Sequence, residues 1–92
     1  MKIVSDPKKR AETLKERSLD FEDAKEVFAG KTLDFPDDRH DYGELRIITV
    51  GKLRGRMVLL AWTPRDGMRR VFSMRKANDH EKKRFGQRLE ES

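Results

Sequence analysis

The sequence predicts an α+β fold: two N-terminal helices, an antiparallel meander of three to four strands, and a C-terminal helix. Apolar residues recur at helical spacing up to residue 30, then change to a period of two from residue 31 onward, between glycine-containing turns. Past the last of these strands, Asn78 followed three residues later by Glu81 marks a helix start. A chain of 92 residues has room for one core, so residues 1–92 are expected to form a single domain.

The elements follow in order. Residues 1–4 suit a short edge strand, ended by Asp6 and Pro7, an N-cap followed by proline at the first helical position. The helix predicted over residues 7–17 has only Ala11 and Leu14 as apolar positions and must lie on the surface. Asp20 reads as the next cap. Phe21, Ala24, Val27 and Phe28 share one face of a second helix, and Gly30 stops it. Residues 32–35 suit a short strand before Pro36. Leu45, Ile47 and Thr49 alternate with Arg46, Ile48 and Val50, and GKLRGR turns the chain into RMVLLAWT. The run MVLLAW is apolar on both faces, which suits a central strand covered on both sides. PRDG reads as the next turn, with Pro64 presetting φ. A strand over residues 68–75 would place Arg70, Phe72 and Met74 on one face and Arg69, Val71, Ser73 and Arg75 on the other. In the last helix Phe85 and Leu89 fall one turn apart.

Composition narrows the function classes. Charged residues make up 42% of the chain and hydrophobic ones 35%, so a thin core is expected. There is no cysteine, which removes disulfides and thiolate metal sites and fits a cytoplasmic setting. No signal peptide is evident, and MVLLAW is too short to span a bilayer, so no membrane association is expected. The net charge of +5 is unevenly spread. Residues 1–30 carry seven basic and seven acidic groups, whereas residues 45–76 carry nine basic groups and one acid, Asp66. Such a field favours a polyanion such as nucleic acid, or an acidic protein partner.

Two regions offer chemistry. Ser73, Arg75 and Lys76 lie where the last strand meets the capped helix, a place suited to a phosphate. Ahead of the first long strand, His40, Tyr42 and Glu44 bring an imidazole, a phenol and a carboxylate. An imidazole exchanges its proton near neutral pH, which makes His40 a candidate acid or base. His80 is the weaker candidate, because a cation in the first turn of a helix is opposed by the dipole. Trp62 and the phenylalanines read as packing, leaving Tyr42 as the exposed aromatic. No spacing of histidines or acids suggests a metal site, and no cofactor is expected. These parts suffice for metal-free RNA cleavage, because RNA carries its own nucleophile in the 2′-hydroxyl.

The order of motifs resembles the BrnT family, toxins of type II toxin–antitoxin pairs with a RelE-like ribonuclease fold. The resemblance runs through Asp6-Pro7 with Lys9, Phe21 to Phe28, Asp38-Arg39-His40, Glu44 with Arg46, Gly51, Thr63 with Arg65, Arg70-Val71-Phe72-Ser73-Met74-Arg75, and Glu81. It implies a bacterial endoribonuclease that blocks translation. It also implies neutralisation by a BrnA-like ribbon-helix-helix antitoxin in a hetero-oligomer, which reaches operator DNA only through the antitoxin. On that resemblance the catalytic candidates are His40, Glu44, Arg65, Ser73 and Arg75, and the RNA-binding candidates are Arg46, Arg70, Lys76 and Tyr42. The chain departs from the family at Ser5, where tryptophan is common, at Thr13 in place of asparagine, and at Glu16-Arg17-Ser18 in place of Lys-His-Gly. Those departures motivate an alternative: a catalytically weakened homologue serving as a basic module that binds antitoxin or nucleic acid. Cleavage at substoichiometric protein separates the two.

Overall fold

Asp6 starts the first helix by accepting a hydrogen bond from the Lys8 amide at 3.0 Å, and Pro7 occupies the first turn, where no amide is needed. The computed structural model describes residues 1–91. In chain order it contains β1 (Lys2–Val4), α1 (Pro7–Arg17), a 3₁₀ turn (Phe21–Asp23), α2 (Ala24–Ala29), β2 (Leu33–Pro36), β3 (Ile47–Leu53), β4 (Arg56–Arg65), β5 (Met68–Lys76) and α3 (Asp79–Glu91). The α+β class and the helix arrangement are those expected. The sheet is a five-stranded mixed one in the order β1-β5-β4-β3-β2. β2 to β5 form the antiparallel meander, and β1 extends it by pairing parallel with β5.

Two departures from the expected local structure have clear causes. Phe21 opens a 3₁₀ turn capped by Asp20, so the second helix is only six residues long. Both long hairpins close through two-residue turns with positive φ at each position, Arg54-Gly55 and Asp66-Gly67. Mirror-image turns of this kind match the twist of the strands they join. Pro64 therefore lies in β4, opposite Arg69, and not in the turn. β3 pairs with β4 only as far as Trp62, so at Pro64 one flank of β4 has no neighbouring strand and a missing N–H is tolerated.

A third departure shapes the rest of the molecule. Ala61 pairs with Ser73 and Trp62 with Val71, which leaves Phe72 as an extra residue in β5. This bulge overrides strict alternation. Val71 and Met74 consequently share one face, packed with Phe21, Ala24, Val27, Leu60 and Trp62. Phe72, Ser73 and Arg75 line the other.

Cores lie on both faces of the sheet. Beneath α2 the close approach is set by Gly51, where a Cβ would come within 2.6 Å of Val27 Cγ1. The Trp62 indole donates to Thr49 Oγ1 at 2.8 Å, and the Thr49 hydroxyl donates in turn to Asp34 Oδ1 at 2.6 Å, so the buried threonine is satisfied. The opposite face holds Val50, Met57, Leu59, Ala77, Phe85 and Leu89, and is the seat of α3. MVLLAW is thus covered from both sides, as its composition predicts.

The helix end at residues 16–18 shows what the family departures do. Ser18 takes the left-handed C-cap with φ 57° and returns its amide to the Leu14 carbonyl, a conformation glycine adopts at lower cost. Ser18→Gly is expected to raise the unfolding free energy by about 0.5–1 kcal/mol, read by urea denaturation. A fall in stability would contradict this account of the cap. Arg17 donates to the Met74 carbonyl at 3.0 Å, on the part of β5 that β1 does not cover.

Candidate functional site

Between α3 and the segment that joins β2 to β3, the sheet leaves a groove of about 680 Å³. Its floor is Ile48, Ala61 and Ser73; one wall comes from Asp37, Arg39, Tyr42, Arg46 and Phe72, the other from Asn78, His80, Glu81, Arg84 and Phe85. Three local devices hold these side chains.

The first device is the start of α3. Asn78 Oδ1 accepts from the Glu81 amide at 2.8 Å, and Glu81 Oε1 accepts from the Asn78 amide at 3.0 Å, which is the reciprocal box its sequence spacing predicts. Glu81 also accepts from Arg75 Nη1 at 2.7 Å and Nη2 at 2.6 Å, so one carboxylate caps the helix and ties it to β5. The Arg75 guanidinium holds the Glu81 carboxyl down from its ordinary 4.5 to about 2, with burial opposing and the Asn78 amide and His80 assisting. Glu81 in turn raises the pKa of Arg75, while the like charge of Arg39 lowers it. Arg39 and Arg75 therefore feel each other within the same groove.

The second device is an ion pair in the joining segment. The Asp37 side chain is 4% exposed and accepts from Arg39 Nε at 2.7 Å and Nη2 at 2.8 Å, and from the Tyr42 hydroxyl at 3.4 Å. Arg39 draws the Asp37 carboxyl down to about 2. The third device is a stack. The Arg46 guanidinium lies 3.9 Å from the centre of the Tyr42 ring and 4.5 Å from that of Phe72.

Because both carboxyls are held below their unfolded values, the unfolded chain binds more protons than the folded one between about pH 4.5 and pH 2. The stability these pairs contribute is fully present above that window and is lost as pH falls through it. Thermal unfolding followed from pH 6 to pH 2 is expected to show this loss, and Glu81→Gln is expected to flatten it. An unchanged slope in that variant would contradict the assignment.

The structure brings together only some of the residues expected from sequence. Ser73, Arg75, Arg46 and Tyr42 line the groove. His40 lies just outside, packed edge-on against Tyr42 at 5.6 Å between ring centres. Glu44, Arg65, Arg70 and Lys76 are exposed and do not line it. Arg65 ends β4 four residues past Ala61, about 13 Å along an extended strand. Lys76 does not join Ser73 and Arg75; Arg39 supplies the second guanidinium near Arg75 instead. Asp37, Arg39, Asn78 and Arg84 are groove residues to which sequence reasoning gives no site role, and His80, the weaker histidine candidate, joins them. The available signal for His80 was its place in the capping box beside Glu81. Among the described residues no three His, Asp or Glu side chains cluster in a way that would hold a metal ion, and no helix is long and apolar enough to cross a membrane.

A family model described as "Ribonuclease toxin, BrnT, of type II toxin-antitoxin system" matches residues 6–81. The chain belongs to the BrnT family. Membership makes it a ribonuclease toxin with RNA as substrate and an antitoxin as partner. No curated protein matches the chain. The match ends at Glu81, the residue that locks α3 to β5, and includes every groove residue except Arg84 and Phe85.

Proposed function

We propose that this BrnT chain, acting as one domain in the cytoplasm, cleaves RNA in the α3 groove without a metal ion, and that a BrnA-like ribbon-helix-helix antitoxin neutralises it. One observation carries the proposal. The groove gathers guanidiniums, an imidazole, a hydroxyl and aromatic rings around a single cleft in a chain of a ribonuclease family.

The reaction follows from RNA's own chemistry. A base takes the proton of the 2′-hydroxyl, the 2′-oxygen bonds to phosphorus, the bond to the 5′-oxygen breaks, and an acid protonates that leaving oxygen. The products are a 2′,3′-cyclic phosphate and a 5′-hydroxyl. His80, inside the groove, and His40, against its Tyr42 wall, are the proposed proton carriers. Glu81 and Asp37 are poor bases, because their proton affinity is low and Arg75 and Arg39 occupy them. Arg75 and Arg39 provide positive potential for the charge that develops on the phosphorane, and Ser73 offers a hydroxyl from the floor.

Purified protein incubated with single-stranded RNA in the presence of a chelator tests the proposal. Fragments ending in cyclic phosphate support it. Cleavage that stops with the chelator and returns with a divalent ion contradicts the metal-independent step.

A further inference from the structure

The geometry points to Arg46 as the phosphate-binding fork of the groove, held open by the Tyr42 and Phe72 rings to receive an unpaired RNA strand. The inference rests on the ribonuclease reading for the identity of its ligand and names the residue that seats it.

Four guanidiniums line the groove, and their donors are not equally available. Arg39 gives Nε and Nη2 to Asp37, and Arg75 gives both terminal nitrogens to Glu81. Each carboxylate takes one edge of its guanidinium and offsets its charge, so a phosphate meets only the N–H groups left over. Arg84, on α3, is exposed and lies 5.2 Å from the neighbouring Phe85 ring, so one aromatic contact orients it. Arg46 differs from all three. Its Nε is buried without an acceptor, its guanidinium lies against the Tyr42 and Phe72 rings, and among the described residues no carboxylate forms an ion pair with it.

The Nε–H is closed off from solvent as well as unpaired, so the groups that meet an incoming acceptor are the terminal N–H groups at the other end of the guanidinium. The rings neutralise nothing; they fix the guanidinium while leaving its N–H groups unspent. A planar fork of that kind matches two oxygens of a phosphodiester. The Tyr42 wall is itself braced, since its hydroxyl reaches Asp37, which Arg39 clamps. Arg39 and Asp37 thus position the stack, and Arg46 makes the contact.

The rest of the groove selects the strand type. Phe35 and Phe85 stack at 5.7 Å with 21° between their planes, and Phe35 is 36% exposed. A phosphate fork together with an accessible aromatic face is the combination that binds unpaired nucleic acid, whose bases are free to stack. Bases locked in a duplex cannot reach such a face.

Arg69 provides a matched control. It too has a buried Nε without an acceptor and sits over two rings, Phe28 at 3.9 Å and Trp62 at 5.1 Å, but it does not line the groove.

The test uses a 2′-O-methyl oligonucleotide, which lacks the attacking hydroxyl and cannot be cut, with binding followed by fluorescence anisotropy. Arg46→Lys, which keeps the charge and loses the fork, is expected to weaken binding about tenfold, and Arg69→Lys to leave it unchanged. The single strand is expected to bind at least about tenfold more tightly than the same sequence in a duplex. Equal binding by Arg46→Lys and the unsubstituted protein, an equal loss in Arg69→Lys, or equal affinity for duplex overturns the inference. Should Arg46→Lys fail to fold, the unsubstituted protein decides: the Arg46 Nε–H resonance moves on titration with the oligonucleotide and that of Arg69 stays, or the inference falls. Binding through Arg46 by a protein that leaves ordinary RNA whole supports the fork and defeats the cleavage reading. Cleavage with binding indifferent to Arg46 does the reverse.

Discussion

Replacing His80 with alanine is expected to slow RNA cleavage by about 10²- to 10⁴-fold, the usual cost of removing a positioned proton-transfer group, while RNA binding is retained. The expectation comes from location. His80 is the one imidazole that lines the groove, and it does so from the first turn of α3, whose start is fixed by Asn78 and Glu81. Its side chain makes no hydrogen bond that the capping box needs, so the fold should survive the substitution. Single-turnover cleavage with saturating protein reads the chemical step directly. Undiminished cleavage by His80→Ala, with His40→Ala inactive, would move the proton-transfer role to the Tyr42 side of the groove.

Phe85→Ala carries the largest expected effect on stability, about 3–5 kcal/mol, because it leaves a phenyl-sized cavity under α3. Phe85 is 4% exposed, packs with Val50, Met57, Leu59 and Leu89, and stacks on Phe35. A domain of this size has only about 5–14 kcal/mol in total. The loss would therefore bring α3 close to detachment and dissolve the groove wall that carries His80 and Glu81. The ionic tie between Arg75 and Glu81 cannot compensate, since Arg75 is 43% exposed and solvent screens the pair. Urea unfolding followed by tryptophan fluorescence measures the change. A loss below about 1 kcal/mol would show that α3 does not depend on Phe85 for its seat.

Both predictions depend on features that differ in how well the sequence announces them. The Asn78 to Glu81 box is local: its two hydrogen bonds span three residues, and spacing alone forecasts them. The change of period at residue 31 is equally local and foretold the helix-to-strand transition. The bulge at Phe72 is a property of a pair of strands. No alternation in β5 by itself says that Ala61 and Trp62 will face Ser73 and Val71, though an apolar Val71 and Met74 three apart in a strand hint at it. Missing the bulge placed Phe72 with Met74, when in the fold Phe72 joins Ser73 and Arg75 in the groove.

The site was legible to the same degree. Ser73 and Arg75 follow from their place at the strand end, Tyr42 from being the exposed aromatic and Arg46 from the family resemblance, and the four converge. Arg65, Arg70 and Lys76 share the basic segment but point elsewhere, because net charge carries no information about which face a side chain takes. His80 reads from the helix dipole as the weaker candidate, an argument about its charge; in the fold it lines the groove beside Glu81. The pairing of Asp37 with Arg39 involves residues two apart in an irregular segment, where no period governs and only the fold shows that the carboxylate is buried.

The central claim is that this groove cuts RNA by using the RNA's own 2′-hydroxyl. The most direct measurement digests one single-stranded RNA with purified protein in excess chelator, beside the same RNA with 2′-O-methyl groups throughout, and analyses the ends of the fragments. The account predicts multiple turnovers on the ordinary strand, fragments ending in 2′,3′-cyclic phosphate and 5′-hydroxyl, and no cutting of the methylated strand. Tight binding of both strands with neither cut, or cutting of both, would contradict it.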